Sequence, residues 1–268
     1  MSFGLGHGRA LDAAEGVVGI SSEELPALPD SVLEDPGSAR LDPRGWFAEA
    51  GRRFEIEIGS GKGAFLVQQA ELEPETNFLG IEWAGEFYAY CADRVRRRRQ
   101  AGKLLNVRML RADATEFFRW RVPDACAAVV RLYFSDPWPK KKHHKKRVIQ
   151  HGMLADVWRV LEPGGQLRVV TDHDELWAWD EAFFDVWARD GALVVGAGGG
   201  LIPEVTRADL ARMGDGAHEA LTGRAAFERG AFTAPASAGE GELVGTNFER
   251  KFRLEGRGFN AAILKKVV

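Results

Sequence analysis

Residues 54–63 read F-E-I-E-I-G-S-G-K-G, an alternating apolar pattern that runs directly into a glycine-rich turn. The alternation predicts a buried strand that ends at Gly59, and a helix is expected to begin near Lys62. A strand, a glycine turn and a helix open the ligand site of a doubly wound α/β sheet, at the carboxyl end of its first strand. The stretch therefore predicts an α/β fold with a ligand site beside this turn.

A carboxylate at the turn limits which ligand fits there. Glu57 lies two residues before Gly59 at the mouth of the strand, where it would repel a pyrophosphate and favour a cation. A Walker-type phosphate loop is disfavoured, because Gly61 and Lys62 are followed by Gly63 rather than by Ser or Thr. The turn thus favours the cationic methyl donor S-adenosylmethionine (AdoMet) over NAD or ATP.

Two more acidic residues follow the next two predicted strands. Residues 77–82 are predicted to form a strand ending at Glu82, which would be placed to accept hydrogen bonds from a ribose diol in either AdoMet or NAD. Residues 106–110 are predicted to form a third strand, and Asp113 comes just after it, where an adenine amino group would lie. Asp113 is also suited to cap the helix predicted over 114–120, and the two roles are compatible.

A second informative stretch covers residues 134–147, F-S-D-P-W-P-K-K-K-H-H-K-K-R, after an apolar strand over 125–134. Pro137 and Pro139 stiffen the turn that presents Asp136 and Trp138 at the carboxyl end of that strand. The histidine pair lacks further ligands at metal spacing, so no metal is expected. Because a cationic run joins the ligand mouth, a polyanionic substrate is favoured over a solvated tail. The cations are Lys140, Lys141, Lys142, Lys145, Lys146 and Arg147.

The whole chain has the composition of an ordinary globular protein. It has 268 residues, 45% of them hydrophobic and 28% charged, and a formal net charge of −3, so global charge does not indicate a nucleic-acid partner. Two cysteines, Cys91 and Cys126, are expected to be buried small hydrophobes. With no signal peptide or membrane-length apolar run, a cytoplasmic location is expected. Residues 1–43 are expected to form a flexible leader.

The second half of the chain carries fewer signals. A fifth strand is predicted over 166–171, with Asp172 at its carboxyl edge, and a last strand over 258–268. Residues 193–195 are a candidate short strand, and 196–241 a variable insertion. Residues 94–99 include five arginines at a helix end, which suit either a helix dipole or phosphate contact.

Taken in order, these motifs resemble one known family. E-I-G-S-G-K-G, G80-I-E82, A112-D-A114, the 134–147 block, T171-D and T246-N-F-E are similar to the TrmB family of bacterial tRNA (guanine-N7-)-methyltransferases. The resemblance runs from about Arg53 to the C-terminus, and the D-P-W-P-K-K-x-H-H-K-x-R pattern is its most specific part. Ser135 stands where many family members have Pro, which would relax the turn slightly.

The resemblance implies a fold, a reaction and a set of site residues. The fold is a doubly wound, seven-stranded, mostly parallel sheet with an antiparallel last strand, in a single domain over 44–268. The reaction is methyl transfer from AdoMet to guanine N7 in the variable loop of tRNA, with no metal and no obligatory protein partner. The implied cofactor-binding residues are Glu57, Gly59, Gly61, Glu82, Asp113 and Asp136, of which Asp136 is also catalytic. The implied substrate-binding residues are Lys140, Asp172, Thr246, Asn247, Phe248 and Glu249.

Three other functions stay open at the level of the residues. The first is a class I methyltransferase that acts on another RNA, on a small molecule or on a protein. The second is a dinucleotide oxidoreductase, and the third is a non-catalytic RNA-binding module. Three acidic residues at the expected rim, Glu57, Glu82 and Asp136, argue against the last of these.

Overall fold

Eight strands form one sheet in the computed structural model, which describes residues 10–190, 205–214, 217, 221 and 224–267. The strands are β1 (Gly19–Ser21), β2 (Arg53–Ile58), β3 (Thr76–Ile81), β4 (Val107–Arg111), β5 (Ala127–Tyr133), β6 (Leu161–Thr171), β7 (Phe227–Gly230) and β8 (Asn260–Lys266). The helices are α1 (Ala64–Leu72), α2 (Gly85–Arg99), α3 (Ala114–Trp120), α4 (His151–Val160), α5 (Asp174–Trp187), α6 (Arg207–Ala211) and α7 (Asn247–Leu254).

The strand order across the sheet is β1-β4-β3-β2-β5-β6-β8-β7. Every pairing among β1 to β6 is parallel, whereas β8 is antiparallel to both of its neighbours. The predicted α/β fold with an antiparallel last strand is therefore confirmed. Because the order reverses on either side of β2, the carboxyl ends of β2 and β5 form the crevice in which such sheets bind ligands.

Within the described residues the sheet has eight strands rather than the seven expected, because the N-terminal segment supplies β1. Val18 is fully buried, and residues 19–21 pair with Met109–Arg111 of β4. The hydroxyl of Tyr88 on α2 donates to the Glu15 carboxylate at 3.0 Å, which ties the segment down. A strand of three residues is too short to show an alternating pattern, so the sequence gives no sign of it. The predicted division into a leader and a domain stays a prediction.

Later elements also differ from the sequence expectations. β6 begins at Leu161 rather than at residue 166, with a register shift where it passes the E-P-G-G turn. α7 was not predicted, and β7 lies inside the segment expected to be a variable insertion. The short strand suggested over 193–195 lies outside the described residues.

Both faces of the sheet are covered by helices. Phe54, Ile56 and Ile58 of β2 pack into the core formed with α3, α4 and α5, while α1 and α2 cover the opposite face. Burying each such large apolar side chain contributes roughly 1.5–3 kcal/mol to stability. The alternate residues Glu55 and Glu57 therefore point toward the α1 face. Among the described helices, none combines the length and apolarity needed to cross a membrane.

Candidate active site

Four of the predicted acidic residues come together at one edge of the sheet. Glu57 lies at the carboxyl end of β2, and Glu82, Asp113 and Asp136 follow β3, β4 and β5. These four strands are neighbours in the order β4-β3-β2-β5, so the four residues lie along the same edge of the sheet, which we call the rim. The positions at strand ends agree with the sequence prediction, whereas the role of these residues in binding a ligand stays a prediction.

The glycine turn after β2 shapes the floor of the rim. Gly63 precedes α1 with a φ of +68°, and a β-carbon there would lie 2.2 Å from the Sγ of Cys91. Glycine is therefore required for α1 to start this close to α2. Gly59 and Gly61 also have positive φ, and no atom lies within 4 Å of where their β-carbons would be. The turn thus presents bare backbone to the open edge.

Glu57 is a buried carboxylate with an unsatisfied oxygen. It is 5% exposed, and its Oε2 atom has no hydrogen-bond partner among the described residues. Burial raises the pKa of Glu57 to about 7, although Ser60 and Arg131 favour the charged form. A buried polar atom without a partner is costly, so this oxygen is suited to meet a donor or a cation from outside the chain.

Glu82 joins the glycine turn to the end of β3. Its Oε2 accepts a hydrogen bond from the backbone N–H of Gly61 at 2.8 Å, and its Oε1 accepts one from Ala84 N at 2.8 Å. A carboxylate has about four lone-pair positions, so acceptor capacity is left on each oxygen. Glu82 can therefore hold the turn and still accept from a diol.

Asp113 caps α3, as the sequence suggested. Its Oδ1 accepts from the backbone N–H of Thr115 at 2.8 Å and from the Thr115 hydroxyl at 2.6 Å. Within the described part of the chain its Oδ2 has no hydrogen bond, and the residue is exposed. One oxygen thus serves the helix, while the other keeps its capacity to accept a hydrogen bond.

Asp136 is exposed on a strained turn. Phe134 and Trp138, on either side of it, have φ angles of +56° and +42°. Such conformations cost about 1–3 kcal/mol each and persist only where the surroundings fix them. Here the N–H of Phe134 donates to the carbonyl of Val170 at 2.8 Å, and the Arg147 Nε donates to the carbonyl of Pro137 at 2.9 Å.

Aromatic packing brings the C-terminal helix against this turn. The centre of the Phe134 ring lies 4.6 Å from the centre of the Phe248 ring on α7 and 5.8 Å from the centre of the Phe259 ring. Phe248 is nevertheless 38% exposed, so part of its ring faces solvent beside Asp136's turn. The wall of the site is therefore built from segments more than a hundred residues apart in the chain.

The cationic block, residues 140–147, contains a 3-10 helix over Lys141–Lys146. Its cationic side chains are of two kinds, exposed and buried. Its lysines are exposed, and the Lys146 ammonium lies 4.6 Å from the centre of the Trp138 ring. The Arg147 side chain is 1% exposed and donates to the Pro137 carbonyl and to Glu175. The sequence analysis counted Arg147 among the cations that would attract a polyanionic substrate, and this is wrong because the fold turns its side chain inward. The only sign in the sequence that this position differs from its neighbours is that it is an arginine at the end of a run of lysines.

The substrate-binding residues implied by the resemblance divide into exposed and buried sets. Lys140, Asn247 and Phe248 are exposed. Thr246 caps α7 through its hydroxyl, which accepts from the N–H of Glu249 at 3.1 Å. Asp172 follows β6 and accepts from the guanidinium of Arg257 at 2.9 Å, a partner that sequence inspection did not identify.

Glu249 lies entirely in the interior. Its carboxylate accepts from the backbone N–H groups of Leu243, Val244 and Gly245 at 2.6–3.0 Å, and from Arg253 at 2.8 Å. Burial opposes its charge, but these hydrogen bonds outweigh it and lower the pKa of Glu249. Glu249 therefore shapes the loop before α7 rather than presenting an oxygen to the rim.

The arginines at the end of α2 are largely paired. Arg96 and Arg97 bind Asp93, Arg98 binds Glu71, and Arg94 donates to backbone carbonyls of the glycine turn. These contacts favour a structural role over phosphate contact. No cluster that could hold a metal ion occurs within the described residues. Cys91 and Cys126 are free and buried, as expected.

Comparisons with known proteins identify methyltransferases as relatives of this chain. A family model described as a putative methyltransferase (Methyltransf_4) matches residues 52–186, about half of the chain. The chain is 40% identical over 147 residues to a tRNA (guanine-N(7)-)-methyltransferase of Corynebacterium diphtheriae, which covers 55% of each chain. It is 36% identical over 165 residues to the protein of that description from Corynebacterium efficiens, covering 62% of each. The matches thus span less than two thirds of these relatives.

Proposed function

This chain belongs to the family of putative methyltransferases whose model matches residues 52–186, and from that premise we propose a tRNA (guanine-N7-)-methyltransferase that uses AdoMet. The observation that carries the proposal is the buried, unpaired Oε2 of Glu57 beside a bare glycine turn. The relatives described as tRNA (guanine-N(7)-)-methyltransferases support the choice of substrate. Because tRNA is the proposed substrate, a cytoplasmic location follows.

The residues of the rim fit AdoMet. Glu57 would take its ammonium group, which would give the orphaned oxygen a partner and favour the ionised carboxylate. Glu82 has acceptor capacity left for a ribose diol, and the exposed oxygen of Asp113 suits the amino group of adenine. When bound, AdoMet supplies a methyl group carried on a positively charged sulfur.

Asp136 is the proposed catalytic residue. Guanine N7 has an in-plane lone pair and no proton, so the transfer needs no general base. The exposed carboxylate of Asp136 would accept hydrogen bonds from N1–H and the amino group of the base, which fixes the direction of N7. The same carboxylate would stabilise the positive charge that develops on guanine as the methyl group arrives.

The exposed lysines supply the attraction for RNA. Lys140, Lys141, Lys142 and Lys145 project from the segment that follows the Asp136 turn. Contacts between lysines and phosphates release counterions, so tRNA affinity would fall steeply with added salt. Because N7 faces the deep major groove of A-form RNA, a loop or splayed guanine is the more accessible target.

A direct test uses methyl-labelled AdoMet with unmodified tRNA transcript, followed by digestion and nucleoside analysis. We expect label in 7-methylguanosine, and we expect it to disappear with the D136A variant. Label in another nucleoside would point to a different RNA methyltransferase. If no RNA is labelled but AdoMet still raises the melting temperature of the protein, a methyltransferase of another substrate class would be favoured. A thermal shift with NAD but not with AdoMet would remove the proposal altogether.

A further inference from the structure

Arg147 has a buried environment that phosphate binding does not explain. Its Nε donates to the carbonyl of Pro137 at 2.9 Å, and its Nη2 donates to Glu175 Oε1 at 2.7 Å. The guanidinium also lies over the ring of Trp179, 5.1 Å from its centre. These partners come from the turn after β5 and from α5, so the side chain joins two separate elements.

A second acidic side chain lies near the same guanidinium. Asp180 on α5 is 1% exposed, and neither of its carboxyl oxygens has a hydrogen-bond partner within the described residues. Burial raises the pKa of Asp180 to about 8, and Arg147 is the charge that opposes this shift. Arg147 therefore faces a carbonyl, an aromatic ring and acidic side chains, and it offers no open face to a phosphate.

The element that Arg147 holds is the strained turn of the active site. Pro137 is the residue next to Asp136, and the turn is bounded by Phe134 and Trp138, both with positive φ. Without a brace, such a turn would relax toward ordinary backbone angles and displace the carboxylate. Small displacements of a catalytic group cost large factors in rate, because the reacting atoms must be aligned.

We propose that Arg147 is a positioning residue for methyl transfer: by fixing the Pro137 carbonyl it holds the Asp136 carboxylate at the rim. The proposal rests on the function proposed above. It assigns Arg147 to turnover, whereas the neighbouring lysines act on RNA affinity. A lysine could not replace it, because one ammonium cannot reproduce the planar fork that reaches both partners and stacks on Trp179.

The test compares R147K with K145Q, a neighbour on the exposed side of the same segment. Turnover is measured with unmodified tRNA at saturating AdoMet, and AdoMet affinity by calorimetry. R147K is expected to lower kcat by about 10- to 100-fold, with tRNA KM and its salt dependence changed less than about twofold. K145Q is expected to show the opposite split, with KM raised and kcat lowered less than about threefold.

Hydrogen–deuterium exchange measures how rigid the turn is, independently of enzymatic activity. Peptides covering residues 134–138 are expected to exchange faster in R147K than in wild type, and to be unchanged in K145Q. If R147K does not fold, E175Q replaces it, because this partner is half exposed and the change is mild. It is expected to show the same effects at a smaller size.

Two results would overturn the proposal. One is an R147K variant with wild-type kcat and a reduced salt dependence of tRNA binding, which would make Arg147 a phosphate contact. The other is unchanged exchange over residues 134–138 in both R147K and E175Q. If wild type forms no 7-methylguanosine, the proposed function fails by itself, and the exchange experiment still decides whether Arg147 holds the turn.

Discussion

The two halves of the sheet edge hold their functional groups by different means. On the β4-β3-β2 side, Glu82 and Asp113 are bound by backbone amides no more than 21 residues away. On the β5-β6 side, Asp172 is bound by Arg257, 85 residues along the chain, and Phe134 packs on Phe248 of α7. We call the first half the donor half, because it would bind the methyl donor; its functional groups are held by contacts close in sequence. We call the second half the acceptor half, because it would bind the methyl acceptor; it is assembled from segments distant in sequence.

The difference predicts that changes in the two halves affect different measurements. Donor-half residues should alter AdoMet affinity, and their geometry should survive the loss of any one distant contact. Acceptor-half residues should alter turnover, tRNA affinity or the folding of the C-terminal loop. Four substitutions, ordered from the largest expected effect to the smallest, can break or sharpen this separation.

The D136A variant should show the largest effect. Removing a fixed charge beside the developing positive charge on guanine is expected to lower kcat by roughly 100- to 1000-fold. AdoMet affinity should change less than about threefold, because Asp136 lies on the acceptor side of the rim. Steady-state kinetics and calorimetry measure the two, and E240A is the matched control at an exposed carboxylate. A parallel loss of AdoMet affinity would break the separation of the halves.

The E57Q variant should show the reverse pattern. Losing a charge-assisted hydrogen bond worth about 1.5–3 kcal/mol should weaken AdoMet binding by roughly 10- to 150-fold. Affinity for tRNA should stay the same, as measured by filter binding. Unchanged AdoMet affinity would mean that the buried oxygen of Glu57 has another partner.

Glu57 also predicts a pH dependence. Because its folded pKa of about 7 exceeds the usual value of 4.5, the ligand-free folded chain keeps a proton that the unfolded chain releases between these values. Ligand-free stability should therefore fall as pH rises from 4.5 to 7, whereas AdoMet affinity should increase toward pH 7. The neighbouring charges are Arg131 on β5 and Glu82 after β3. Melting curves should lose this pH dependence in E57Q.

The E249Q variant tests how the acceptor half is folded. The buried carboxylate accepts from three backbone amides and Arg253, and its neutralisation should cost about 2–3 kcal/mol of unfolding free energy. Thermal melts should show a lower Tm, and tRNA KM should rise as the loop before α7 loosens. The exposed change E240Q is the control. An unaltered Tm with raised KM would instead make Glu249 a direct contact with RNA.

The smallest effect is expected from single lysines of the cationic segment. Neutralising Lys140 or Lys141 should reduce the slope of log affinity against log salt by about 0.7–0.9 each, without changing kcat at saturating tRNA. Lys103 is the control, because it is exposed just before β4 at the opposite edge of the sheet. Equal effects from K103Q and K140Q would mean that RNA binds without a preferred face.

The same division between local and distant contacts separates the residues whose positions could be predicted from sequence from those whose positions could not. The positions of Glu57, Glu82 and Asp113 could be predicted, because each lies within two residues of the carboxyl end of a strand whose apolar pattern is visible. Arg147 could not, because its sequence neighbours are lysines and its burial depends on Trp179 and Glu175. Nor could the interior position of Glu249, which depends on the folding of a preceding loop without periodicity.

By itself, the sequence determined the α/β class and the strand-end positions of Glu57, Glu82 and Asp113, since strand periodicity and turn chemistry are local properties. The tertiary structure alone decided that β1 extends the sheet, that α7 packs on Phe134, and that Arg147 points inward. The physical reason is that burial of a polar side chain depends on partners that approach from elsewhere in the chain. Local pattern places a residue on a strand or a turn, but only the packed fold decides whether its charge meets water, RNA or a carbonyl.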